Sequence, residues 1–191
     1  MKALRLTLLI AAITSTVDVA TLSAQQTPPT PSPPSPVVTR ILSPKPEDVS
    51  SIDAIITALY AVISGPKGQA RDWNRMRSLF VPGAHLIPSV NRPQGRGIVM
   101  LTVNDYIATS GPMLTDVGFR EKEIARRVEE FGSIAHVFST YESFRENETT
   151  PFARGINSIQ LLNDGTRWWV VNIFWDGERQ GLSIPEKYLK N

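Results

Sequence analysis

Histidine is the side chain that titrates near neutrality without help from its surroundings, and this chain has two, His85 and His136. His136 lies in the run Ser133–Phe144. Strand alternation there puts Ile134, His136, Phe138 and Thr140 on one face and Ala135, Val137, Ser139 and Tyr141 on the other. Among apolar neighbours, His136 reads as a catalytic proton shuttle or as a partly buried structural histidine. His85 follows the Pro82-Gly83 turn and reads as a ligand-binding residue or a solvated strand end. Two histidines without a carboxylate at matching spacing fall short of the three protein ligands of a catalytic zinc site, so no metal and no cofactor is expected.

Three further side chains join the candidate binding set. Tyr106 could donate its hydroxyl to a developing oxyanion, or simply pack. Asn157 interrupts a small or apolar face formed by Ala153, Gly155, Ile159 and Leu161, where asparagine is disfavoured unless it has a polar task. Trp175 shares a face with Trp169 and Ile173, while Trp168, Val170 and Phe174 share the other. Both faces are apolar, so both must be covered, one by the core and a pocket and the other by a partner subunit. A catalytic arrangement would use His136 as base and Tyr106 or Asn157 to polarise a carbonyl, with about 6–7 Å between them so that each reaches a different substrate atom. The mixed-charge run Glu121, Glu123, Arg126 and Arg127 reads as a solvated strand face.

The elements that must position these residues follow from periodicity. Ser50 and Asp53 read as a capping box, and Ile52, Ile55, Ile56, Leu59, Tyr60 and Ile63 recur at helical spacing up to Gly65-Pro66. A second helix covers about 69–80, with Trp73, Met76, Leu79 and Phe80 on one stripe. Ala84–Pro88 and Ile98–Thr102 read as short strands. Thr102 and Asp105 form another capping box that opens a helix from Val103 to about Thr109. Three strands end the chain: Ser133–Phe144, Phe152–Leu162 and Arg167–Asp176, the last two joined by the hairpin signal Asn163-Asp-Gly165. Phe119–Phe131 carries a conflict. Its Glu, Arg, Lys and Ala content and the spacing of Ile124, Val128 and Phe131 read as helix.

The front of the chain differs. A basic start, an apolar run at Leu6–Ile13 and a small residue at Ala24 describe a secretory signal over residues 1–24, too short to span a bilayer. Residues 25–47 read as a proline-rich linker and 48–191 as one folded domain. With no cysteine there is no disulfide framework, which suits a secreted or periplasmic bacterial protein. The formal charge is +2, and losing Lys2, Arg5 and Asp18 with the signal leaves +1, so nucleic-acid binding and stable membrane insertion are not expected.

Four features together resemble the nuclear transport factor 2-like superfamily over roughly residues 50–176. They are the two N-terminal helices ending in Leu79-Phe-Val-Pro-Gly-Ala84, the helix around Asp105-Tyr106, the turn and strand Phe131-Gly-Ser-Ile-Ala-His-Val137, and Asp164-Gly-Thr-Arg-Trp-Trp-Val-Val171. The resemblance is to exported bacterial members of unknown function. It implies an α+β cone: three helices packed in the concavity of a strongly curved, mostly antiparallel sheet. It implies a strand at Phe119–Phe131 paired with Ser133–Phe144, adopted here over the local helix signal, and a homodimer through the outer sheet face. It also places Tyr106 near a pocket. The expectation is an exported module that binds a small apolar molecule. The alternatives are an enzyme resembling ketosteroid isomerases or polyketide cyclases with His136 as proton shuttle, and a non-catalytic assembly domain. The aspartate-plus-tyrosine arrangement of those enzymes has no residue-by-residue counterpart in this sequence.

Overall fold

A computed structural model describes residues 42–190, which fall within the unit Val38–Asn191. The expected signal segment 1–24 and residues 25–41 of the expected linker lie outside the described residues. Helix α1 (Pro46–Val49) opens on a proline at its first turn with Glu47 and Asp48 beside it, as the helix dipole favours. The buried Asp48 carboxylate accepts a two-pronged bond from the Arg75 guanidinium, 2.7 Å at each oxygen, and so ties α1 to α3 (Trp73–Leu79).

Helix α2 (Ile52–Ile63) buries Ile55, Ile56, Leu59 and Tyr60 on the stripe that the spacing predicts. Its cap lies one residue later than expected. Ser51, not Ser50, accepts from the Ala54 amide at 3.1 Å, and Asp53 instead pairs with Arg126. Helix α4 (Val103–Val117) starts on the expected Thr102–Asp105 capping box but continues past Thr109, straight through Gly111-Pro112. Proline inside a helix removes one backbone bond, and packing overrides that cost. Gly111 abuts the Trp73 indole, where a Cβ would already stand 3.0 Å away, and Leu114 is fully buried. The helix ends at Gly118, whose φ of 63° is left-handed.

Among the described residues seven strands form one curved, open sheet. The order is β2 (Gly95–Ile98), β1 (Phe80–Arg92), β7 (Trp168–Gly177), β6 (Ala153–Asn163), β5 (Ile134–Phe144), β4 (Arg120–Phe131), with β3 (Leu101–Thr102) also on β1. Every pairing is antiparallel except β1 with β7. The architecture is the α+β cone expected. Residues 120–131 are strand: pairing along the whole of β5 overrides the local helix preference.

Two bulges decide which side chains face the helices. In β4 the register slips between Glu123 and Ala125, so Glu121 and Glu123 face inward before Ile124 and Arg126 after it. In β7 a slip beside Val171 puts Trp168, Val170, Ile173 and Trp175 on the inner face and Trp169 and Phe174 on the outer. Strict alternation, which groups Trp169 with Trp175, is corrected by that bulge. The core lies between α2, α3 and this inner face, centred on Ile55, Met76, Leu79, Val137, Ile159 and Val170.

Arg71 locks the helices to one another. It is buried, and its five donors reach five backbone carbonyls: Ile63, Gly65, Pro66, Gln69 and Leu114, at 2.5–3.2 Å. Replacing it with lysine strands several of those acceptors. Arg71→Lys is expected to destabilise the fold by about 2–4 kcal/mol, read as a lowered urea midpoint at unchanged slope.

Candidate functional site

A cavity of about 260 Å³ lies between α2, α4 and the inner face of β4–β7. Its wall is mostly apolar, with Leu59, Ile63, Leu114, Ile159 and Ile173 in contact with it. Met113 and Phe152 line it while staying exposed, which marks its opening. The space equals roughly nine waters' worth of liquid, at the small end of ligand pockets.

One carboxyl stands in this apolar wall. Glu121 is directed inward by its position opposite Ser143 in the β4–β5 ladder. Ser64 fixes its backbone: the hydroxyl accepts from the Glu121 amide at 3.0 Å and donates to the Tyr60 carbonyl at 2.7 Å, stapling the end of α2 to β4. Ser143 donates to the carboxylate at 2.7 Å and Asn157 also hydrogen-bonds it. Desolvation outweighs both bonds and pushes the Glu121 pKa up to about 7.

A second chain of bonds leads out of the cavity. The Ser139 hydroxyl donates to the Glu123 carboxylate at 2.5 Å. Its single hydrogen is therefore committed, so Tyr60 must be the donor across the 2.6 Å bond to Ser139. Asn157 Nδ2 in turn donates to the Tyr60 oxygen at 3.1 Å. Glu123 ends on Arg126, which also pairs with Asp53. Tyr60 thus has no hydrogen to offer a ligand. Tyr106 and Tyr141 line the cavity, and their hydroxyls bond no described residue. Burial raises the pKa of all three tyrosines, and the Glu121 charge raises each further. Gly155 makes room for Tyr141: a side chain there would collide with its hydroxyl and with the Asp176 carbonyl.

Of the residues singled out by sequence, Tyr106, Asn157 and Trp175 come together on this cavity, with the Tyr106 and Trp175 rings 6.5 Å apart and nearly perpendicular. His136 does not line it. The inner face of β5 belongs to Ala135, Val137, Ser139 and Tyr141, so His136 projects from the outer face, where its Nε2 meets the Ser158 hydroxyl at 2.9 Å. The sheet itself separates it from Tyr106 and Asn157, which removes the His136 shuttle. His85 sits between the buried Ala84 and Leu86, opposite Thr102 and Asn172, and is also absent from the lining. Glu121 is the residue that sequence reasoning passed over as solvated. The available signal was register: on a strand paired with β5, Glu121 faces Ser143 and Glu123 faces Tyr141, on the inward side. Among the described residues no cluster of three or more His, Asp or Glu is placed to hold a metal, and no helix is long and apolar enough to cross a membrane.

No protein-family model and no curated protein matches the sequence. Solved structures do. A protein of unknown function with a cystatin-like fold from Nostoc punctiforme aligns at 11% identity, over 66% of this chain and 88% of its own, with a TM-score of 0.51. A nuclear transport factor 2-like protein of unknown function from Pseudomonas putida aligns at 11% identity, over 66% and 84%, with a TM-score of 0.50. The yeast UBP3-associated protein BRE5 aligns at 15% identity, over 66% and 92%, also at 0.50. Likeness at these identities is likeness of fold.

The Glu121 carboxyl gives stability a definite pH dependence. Its folded pKa is raised, so its contribution is complete below the ordinary value near 4.5 and is lost as pH climbs to about 7. Between pH 4.5 and pH 8, Glu121→Gln should gain about 3 kcal/mol relative to the wild type, measured as the difference between their urea unfolding free energies at each pH.

Proposed function

The chain has the nuclear transport factor 2-like fold, and we propose that its cone is a pocket for one small, largely apolar molecule whose polar group is held by Glu121. The carrying observation is the Glu121 carboxyl in a mostly apolar wall, hydrogen-bonded yet desolvated. Its two neutral donors, Ser143 and Asn157, do not repay the cost of its burial. Tyr106, Tyr141 and Asn157 supply further polar contacts around it. Residues 1–24 support export of the domain, with the proline-rich stretch as spacer.

A second reading is enzymatic. A carboxyl that titrates near neutrality suits general acid–base work, and the two free tyrosine hydroxyls could hold the oxygen of a carbonyl substrate while Glu121 moves a proton. Glu121 takes the role first given to His136.

A homodimer through the outer sheet face fits the same fold. The row Phe131, Ile134, Leu162 and Trp169 crosses that face, and Phe131 is 84% and Ile134 60% exposed. The C-terminal segment already covers part of it, since Thr140 donates to the Tyr188 carbonyl at 2.6 Å and Phe138 packs on the Tyr188 ring.

Benzyl alcohol, a molecule of matching size, tests the pocket by amide NMR titration of the full chain. Shifts gathered at Tyr106, Glu121, Asn157 and Trp175, with His85 and His136 unmoved, are expected. No shift at millimolar ligand, or shifts on the outer face alone, would sink the reading.

A further inference from the structure

We infer that the occupant of the cone is a small organic cation, an alkyl- or arylalkyl-ammonium held between Glu121 and the aromatic wall. This rests on the pocket reading and names its ligand class.

The charge balance of the wall comes first. Glu121 is the acid in the lining, and among the described residues no lysine, arginine or histidine lines the cavity. The groups facing it are tyrosines: Tyr60 from α2, Tyr106 from α4 and Tyr141 from β5. The next charged residue on the same face of β4, Glu123, is engaged by Ser139 and Arg126. Arg126 also pairs with Asp53, and Asp176 pairs with Arg179. Both side-chain donors to Glu121, Ser143 and Asn157, are neutral. The protein thus solvates the carboxylate in part and leaves its charge uncompensated. An ammonium supplies the missing charge, and a buried pair with satisfied hydrogen bonds is the arrangement that tolerates burial.

The remaining wall suits the same guest. Tyr106 and Trp175 meet at 86° with ring centroids 6.5 Å apart, and Phe119 and Phe152 meet at 69° and 6.2 Å. Rings set at steep angles around a cavity form the corner in which a cation is drawn to aromatic faces. A primary ammonium brings three donors and no acceptor. Glu121 and the hydroxyl oxygens of Tyr106 and Tyr141 are acceptors available to it, whereas the Tyr60 oxygen already takes the Asn157 bond. The volume limits the guest to about the size of one aromatic ring with a short arm.

Benzylamine and benzyl alcohol have nearly one shape and differ in charge, so their comparison isolates the inference. By calorimetry on the full chain at pH 8, benzylamine is expected to bind at least tenfold more tightly than benzyl alcohol. That preference should grow from pH 6 to pH 8, because Glu121 ionises across this window while the amine, like a lysine side chain, stays protonated. Glu121→Gln should bring the two probes to equal affinity and so erase the preference. Equal affinities, a preference that shrinks as pH rises, or a preference that survives in Glu121→Gln overturns the cation and leaves the pocket standing. The pH series on the wild-type chain decides the matter if the variant fails to fold. Binding of neither probe overturns the pocket reading and this inference with it.

Discussion

Five carbonyls converge on one buried guanidinium, and the rest of the architecture hangs from that convergence. Arg71 draws together the end of α2, the loop that follows it and the last turn of α4. Those helices carry Tyr60 and Tyr106, two walls of the cavity. No carboxylate among the described residues offsets the Arg71 charge, so desolvation works against it and the carbonyl dipoles alone hold it. Helix ends leave carbonyls without partners, and a single planar donor fork serves two helices at once. Gly65 is part of the same device, because a Cβ there would stand 2.7 Å from the Arg71 guanidinium.

The inner face of the sheet serves packing and polarity by zones. Toward the hairpin end it carries Ala135, Val137, Ile159 and Leu161, the dry support for α2 and α3. Toward the opening it carries Glu121, Ser139, Ser143 and Asn157, a polar strip within a closed core. Such a strip is tolerated because its hydrogens have acceptors in a fixed direction, from Asn157 through Tyr60 and Ser139 to Glu123. Its order derives from a charged group near the surface, so the donor pattern inside the cavity is dictated from outside it.

How much of this was legible in sequence depended on whether the deciding force was local. The final hairpin was readable, because Asn163-Asp-Gly165 is turn chemistry and Gly165 takes the left-handed conformation it allows. The Thr102–Asp105 box was readable for the same reason. The length of α4 was not: Gly111-Pro112 spells a stop, and contacts with Trp73 and Arg71, distant in sequence, carry the helix onward. Of the residues that line the cavity, Asn157 stood out as a polar residue on a small or apolar face, while Tyr106 came from the resemblance and Trp175 from the two apolar faces of the last strand. Glu121 was missed because a charge in a charged run looks solvated until the strand's partner is known. His136 was misplaced by one sheet thickness, since alternation separates two faces without saying which one the helices cover.

The bulge at Ile124 has a bearing on how this chain may be compared with others of its fold. A bulge shifts the reading frame of a strand: odd positions point inward on one side of it and even positions on the other. A relative whose fourth strand is regular keeps one parity throughout. Any alignment that runs through Ile124 without a gap would therefore equate an inward residue with an outward one along half the strand. Roles can be carried across only in two separate blocks, one ending at Glu123 and one beginning at Ala125.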